Sequence, residues 1–113
     1  MQFALLIYDD EKRWTKDGYD PVELQQYRVF GKEFANAIKG GNALQPTPTA
    51  RTVRVRDGKS LVVDGPFAET KEQLGGFYLV EARDAEEAAG IAAKIPGARH
   101  GSIEVRPVMT FSS

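Results

Sequence analysis

Asp64-Gly65-Pro66-Phe67-Ala68-Glu69-Thr70-Lys71-Glu72-Gln73-Leu74-Gly75-Gly76-Phe77-Tyr78 is the stretch on which the reading of this chain turns. It sets a tight turn and a group of ionisable side chains directly before an apolar strand. Gly accepts positive φ, Pro fixes φ near about −65°, and an Asp side chain can bond the backbone two residues on. Asp64-Gly65-Pro66 is therefore a turn that should close one strand, and Gly76 to Glu81 reads as the next strand, apolar on both faces. Gly75-Gly76 marks either a bulge entering that strand or a place where a ligand comes close to the backbone. Upstream, Arg51 to Arg56 and Ser60 to Val63 flank Asp57-Gly58-Lys59, a strong hairpin signal. Val53 and Val55 share one face of that hairpin, Arg54 and Arg56 the other.

Further out, Phe3 to Tyr8 is a short apolar run closed by Asp9-Asp10, which fits a strand covered on both faces. Asp20-Pro21-Val22-Glu23 has an N-cap, a proline at the first helical position and the spacing of a capping box. The expected helix runs over 21–39 with Leu24, Tyr27, Phe34 and Ile38 on one stripe, and ends at Gly40-Gly41. Asn42 to Leu44 reads as a short strand, and the proline-rich Gln45 to Thr49 as a loop or sheet edge. A second Asp-x-x-Glu start at Asp84 opens a helix with Ala85, Ala88, Ala92 and Ile95 on one side, stopped by Pro96-Gly97. Ser102 to Val108 closes the chain as a strand.

At 113 residues the chain is of a size for one domain, 1–113, without internal repeat or linker. Its 42% hydrophobic and 27% charged residues are globular values, and a net charge of −1 gives no pull toward nucleic acid. Cysteine is absent, which removes disulfides, thiol catalysis and thiolate metal sites. No leader or membrane-length apolar run appears, so a cytoplasmic location without membrane association is expected.

Stripped of the hairpin, the order is strand, helix, strand, strand, helix, strand. That is the α+β ferredoxin-like βαββαβ pattern, with an antiparallel sheet and both helices on one face. Phe3, Leu5 and Ile7 alternate with the equally apolar Ala4, Leu6 and Tyr8, and Tyr78 and Val80 with Phe77 and Leu79. The face opposite the helices should then be apolar as well, which predicts a homodimer whose sheets pack face to face as a dimeric α+β barrel.

The nine residues Asp64 to Glu72, the following Gly75-Gly76-Phe77-Tyr78 and the closing Gly101-Ser102-Ile103-Glu104-Val105-Arg106-Pro107 resemble the DGPF branch of the YciI-related (YCII-related) proteins. The resemblance covers nearly the whole chain and implies the same dimeric α+β barrel. It implies a wider superfamily that includes small enzymes acting on lactones and chlorinated aromatics. It also implies a possible association with extracytoplasmic-function (ECF) sigma factors, beside or fused to which such relatives are often encoded. The His/Asp pair proposed as catalytic in the YciI branch has no counterpart over 21–39, where histidine is absent.

Candidate residues each carry two readings. Asp64 is either an acid or base held at a cleft or an Asx-turn residue spent on its own backbone. Glu69, Lys71 and Glu72 either rim a ligand mouth or form a solvated helical turn that Thr70 caps; Thr70 could alternatively donate to a ligand. Tyr8, Trp14, Tyr27, Phe67 and Tyr78 would line an apolar pocket or serve as core. Trp14 stands in Glu11 to Gly18, read as a loop able to close over a cleft mouth. Arg51, Arg54 and Arg56 could grip an anion but read better as a solvated strand face. His100, the single histidine, is a minor candidate acid or base. No phosphate loop, dinucleotide fingerprint or zinc spacing occurs, so neither cofactor nor metal is expected. Three classes follow: a small-ligand binding or sensing homodimer, a cofactor-free enzyme using Asp64, and an interaction module linked to an ECF sigma factor regulator.

Overall fold

The structure is a computed structural model describing residues 1–16 and 18–111. Four strands, β1 (Gln2–Asp9), β2 (Ile38–Ala43), β5 (Gln73–Glu81) and β6 (Ser102–Pro107), form an antiparallel sheet in the order β2-β5-β1-β6. Helices α2 (Pro21–Glu33) and α3 (Ala85–Ala92) provide the two crossovers of the ferredoxin-like α+β fold, and a short α1 (Lys12–Thr15) follows β1. Strands β3 (Arg51–Arg56) and β4 (Lys59–Asp64) form a separate hairpin inserted between β2 and β5. Its turn is Asp57-Gly58, where both residues have positive φ, 52° and 73°, as a type I′ hairpin turn requires.

Alternation along the strands decides what each face meets. Phe3 and Leu5 of β1 and Val80 of β5 point to the helices, where they pack with Phe30 of α2 and Ala88, Ile91 and Ala92 of α3. Burying each of the larger side chains contributes about 2 kcal/mol. Ala4 and Leu6 stand opposite Leu79 and Phe77 on the other face, with Tyr8 beside them, and all five are only partly buried. On β6 that face carries Glu104 and Arg106, which pair with each other.

The starts of α2 and α3 are both capped. The Asp20 side chain accepts from the Val22 N–H at 2.9 Å, and Asp84 accepts from the Glu87 N–H at 2.9 Å. The latter bond, more than the nearby Arg83, holds the Asp84 carboxyl below its usual range. Glu87 reaches back to the Arg83 N–H at 3.0 Å, while Glu23, placed where a capping box would use it, turns to Arg13 instead.

Several boundaries differ from expectation. Helix α2 stops at Glu33, and Ile38 to Gly41 belong to β2, because Ile38 pairs with Val80 and Gly41 with Tyr78 along the edge of β5. Sheet pairing overrides the helical spacing of Ile38. The buried residue of α2 is Phe30, not Leu24, which is 39% exposed. Trp14 lies inside α1 and not in an irregular loop; Asp17 of the expected Glu11 to Gly18 loop lies outside the described residues. Strand β5 begins three residues before Gly76, and Ile7 pairs with Gly76 while Tyr8 pairs with Leu74. Gly75 is thus the extra residue of a β-bulge, as its doublet with Gly76 suggested. No helical turn forms over 69–72; the Thr70 hydroxyl donates to the Glu72 carbonyl at 2.6 Å.

Candidate functional site

The site begins where β1 ends. Asp9 faces the helices and is 9% exposed, the one charged residue buried among the described residues. The chain turns at once into α1, and the Asp10 N–H donates to Asp9 Oδ1 at 2.7 Å. Four residues on, the Arg13 guanidinium reaches back, with Nη2 2.5 Å and Nε 3.1 Å from Asp9 Oδ2. Its outer edge meets Glu23 of α2, Nη2 to Oε1 at 3.2 Å and Nη1 to Oε2 at 3.3 Å. Arg13 therefore clasps carboxylates from two elements, and hydrogen bonding to Asp9, then to Glu23, holds its proton far above the usual range.

This clasp fixes α1 against the first turn of α2 and leaves a cleft of about 530 Å³ between them and the sheet. Trp14 forms one wall, stacked on Tyr19 with ring centroids 5.1 Å apart and planes 7° off parallel. Leu24 and Tyr27 form the other, and Ile7, Gly76 and Tyr78 the floor. The bulge shapes the mouth, for a Cβ on Gly75 would stand 4.0 Å from Trp14 Cζ2, in ordinary contact with the ring. Burial, with Glu23 adding to it, pushes the Tyr27 phenol up to about 12, and burial raises Tyr78 too. Both phenols stay protonated at neutral pH, able to donate a hydrogen bond and unsuited to act as bases. Among the described residues no three acid or imidazole side chains are grouped to hold a metal ion.

Of the residues singled out in the sequence, the cleft brings together Trp14, Tyr27 and Tyr78. Tyr8 lies on the open sheet face by its register. The Asp64 side chain is 91% exposed at the end of β4, and its carboxylate meets Arg51 at 3.6 Å. The turn is instead held through the backbone, Gly65 N–H to the Ala50 carbonyl at 2.7 Å and the Thr52 hydroxyl to the Gly65 carbonyl at 2.8 Å. Phe67, 80% exposed, and Lys71 lie in the loop that follows, and His100 caps the 3₁₀ turn Pro96–Arg99 on the surface. Asp9, Arg13, Glu23 and Tyr19 were not singled out. The i,i+4 spacing of Asp9 and Arg13 was the available signal, but only the fold brings Glu23 to them.

The YCII-related domain family matches residues 1–112. The chain belongs to this family. A YCII-related chain so placed is 38% identical over 118 residues to an uncharacterised protein of Rhizobium meliloti (strain 1021), covering 98% of this chain and 94% of the relative. The YCII-related fold also superposes on 5-chloro-2-hydroxyhydroquinone dehydrochlorinase from Burkholderia phenoliruptrix AC1100, solved in complex with 2,5-dihydroxybenzoquinone. That match has a TM-score of 0.52 at 14% identity and covers 96% of this chain and 94% of that one. At such identity the likeness is one of fold. Among the described residues no helix is long and apolar enough to cross a membrane.

Proposed function

We propose that this YCII-related chain is a small-molecule binding protein that takes a compact planar ligand in the cleft between α2 and the sheet. The observation that carries the reading is an aromatic-walled cleft of about 530 Å³ kept open by the Asp9–Arg13–Glu23 clasp. That volume suits one small ring system, and apolar walls with a few convergent polar groups are the usual make-up of a ligand site. The dehydrochlorinase of like fold was solved with a single-ring ligand, which makes monocyclic aromatics the first class to try. Binding ranks above catalysis by Asp64, since that carboxylate stands exposed on the hairpin and away from the cleft of its own protomer. Trp14 is the single tryptophan and forms a wall, so its fluorescence reports occupancy directly. A panel of monocyclic phenols, quinones and aromatic amines should include members that change it saturably, with Tyr27→Ala weakening the response. If no member gives a saturable change, the proposal is wrong.

We also propose that two copies pair through the open sheet face. Leu6, Phe77 and Leu79 share that face and stay only partly buried in the protomer. The protomer is a slab 47 × 46 × 19 Å with a radius of gyration of 16.0 Å. A compact chain of this length would have about 13 Å. The hairpin adds to the case. Thr52 is its only strand residue that is not exposed, and Val53, Val55 and Val62 share one of its faces. An isolated two-stranded ribbon is marginal in water unless something packs on it.

A further inference from the structure

We infer that the cleft selects its ligand by charge, taking neutral or cationic donor-bearing rings and rejecting carboxylates and other anions; the inference rests on the binding role proposed above. Among the described residues, three carboxylates, Asp9, Asp20 and Glu23, line the cleft against one guanidinium, Arg13, and no lysine or histidine lines it. An anion would need Arg13, yet all three of its nitrogens are engaged. Nε and Nη2 serve Asp9, and Nη1 and Nη2 serve Glu23. Drawing the guanidinium toward a ligand would strip a partner from Asp9, whose side chain is 11% exposed, and leave a poorly solvated carboxylate unpaired.

The other anion-attracting feature, the positive end of α2, is already answered. Asp20 accepts from the Val22 N–H at 2.9 Å, and Pro21 offers no N–H at the first position. What the charged groups leave for a ligand is acceptor capacity. Each ionised carboxylate has about four lone-pair sites, and Glu23 and Asp20 have some left over. The Tyr27 and Tyr78 hydroxyls can each donate once to a neutral ligand oxygen, but two such bonds do not offset a local excess of two negative charges. A phenolic hydroxyl, a ring N–H or an ammonium arm fits this field; a carboxylate or phosphate does not.

Three probes of one shape test it: 4-hydroxybenzyl alcohol, 4-hydroxybenzylamine and 4-hydroxybenzoate, each titrated against the full chain at low ionic strength while Trp14 fluorescence is followed. The alcohol and amine should bind, and the benzoate should be weaker by about ten-fold or more, the effect of about one pKa unit's worth of repulsion. Glu23→Gln removes one negative charge and loosens one edge of Arg13, so it should narrow the gap between alcohol and benzoate several-fold, with circular dichroism confirming the fold. Benzoate binding as tightly as the alcohol in the native chain overturns the charge rule and leaves the binding role standing. Binding by none of the three at millimolar concentration overturns the binding role and the charge rule with it.

Discussion

A Cβ placed on Gly97 would stand 2.8 Å from the Tyr27 hydroxyl and 3.2 Å from Ile7 Cγ2, so the bare backbone of Gly97 is what gives the Tyr27 ring its place. Gly97 lies in the buried 3₁₀ turn after α3, which packs against α2 and the sheet. Gly97→Ala should cost about 1–3 kcal/mol through overpacking. Because the methyl pushes on the cleft's own phenol, ligand response at Trp14 should fall as well. Urea denaturation and fluorescence titration on one preparation would show both effects, and a loss of neither would mean that the turn yields easily.

The Arg13 clasp is partly shielded, with side-chain exposures of 33% for Arg13 and 11% for Asp9. That places it between a surface pair and a buried one. Arg13→Gln should therefore destabilise by about 1–3 kcal/mol, mostly from leaving Asp9 unpaired. Asp9→Asn in the same background should recover part of that loss. A double-mutant cycle in urea checks the coupling, and additive losses would show that the two residues act independently.

Tyr27 makes stability depend on alkaline pH. Its phenol is pushed up from 10.0 to about 12, so the folded chain holds the proton more tightly than the unfolded one. The contribution is complete below pH 10 and is lost as pH rises through about 12. Urea midpoints should fall across that window, and Tyr27→Phe should fall less steeply. Equal slopes for the two proteins would show that another group governs the alkaline limb.

The open sheet face gives an assembly test. Leu6→Asp puts a charge among Phe77, Leu79 and Tyr8 without touching the helix-side core. Light scattering after size exclusion should find the native chain at twice its protomer mass and the variant at the protomer mass, with unchanged circular dichroism. A native chain that runs as a monomer at micromolar concentration would remove the sheet-face dimer.

Asp64→Asn should leave the melting temperature nearly unchanged, since a pair exposed at 74% and 91% is worth little. The substitution separates two roles for the hairpin. If it abolishes ligand response while the fold holds, the hairpin of one copy reaches the cleft of another.

What the sequence discloses depends on how local the responsible chemistry is. The caps at Asp20 and Asp84 and the hairpin turn at Asp57-Gly58 act within a few residues, so strand and helix order could be read from them. Ile38 reads as helical because its spacing competes with a partner 42 positions away, Val80. The cleft was half visible for the same reason. Trp14, Tyr27 and Tyr78 show as aromatics, but the clasp joins the end of a strand, a one-turn helix and the start of another helix. Glu23 looked like part of a capping box, and nothing local says that it answers Arg13. The most conspicuous motif, Asp64-Gly65-Pro66, drew attention to a carboxylate that faces solvent.

The base of the hairpin has a further meaning. Residues 51–64 leave and return through a narrow neck, where the Gly65 N–H meets the Ala50 carbonyl at 2.7 Å and the Thr52 hydroxyl meets the Gly65 carbonyl at 2.8 Å, while β2 and β5 pair directly with each other beyond it. Ala50 and Gly65 could be spliced by a short turn, and the four-stranded body would keep every ladder it has. The arm is thus a graft on a finished domain.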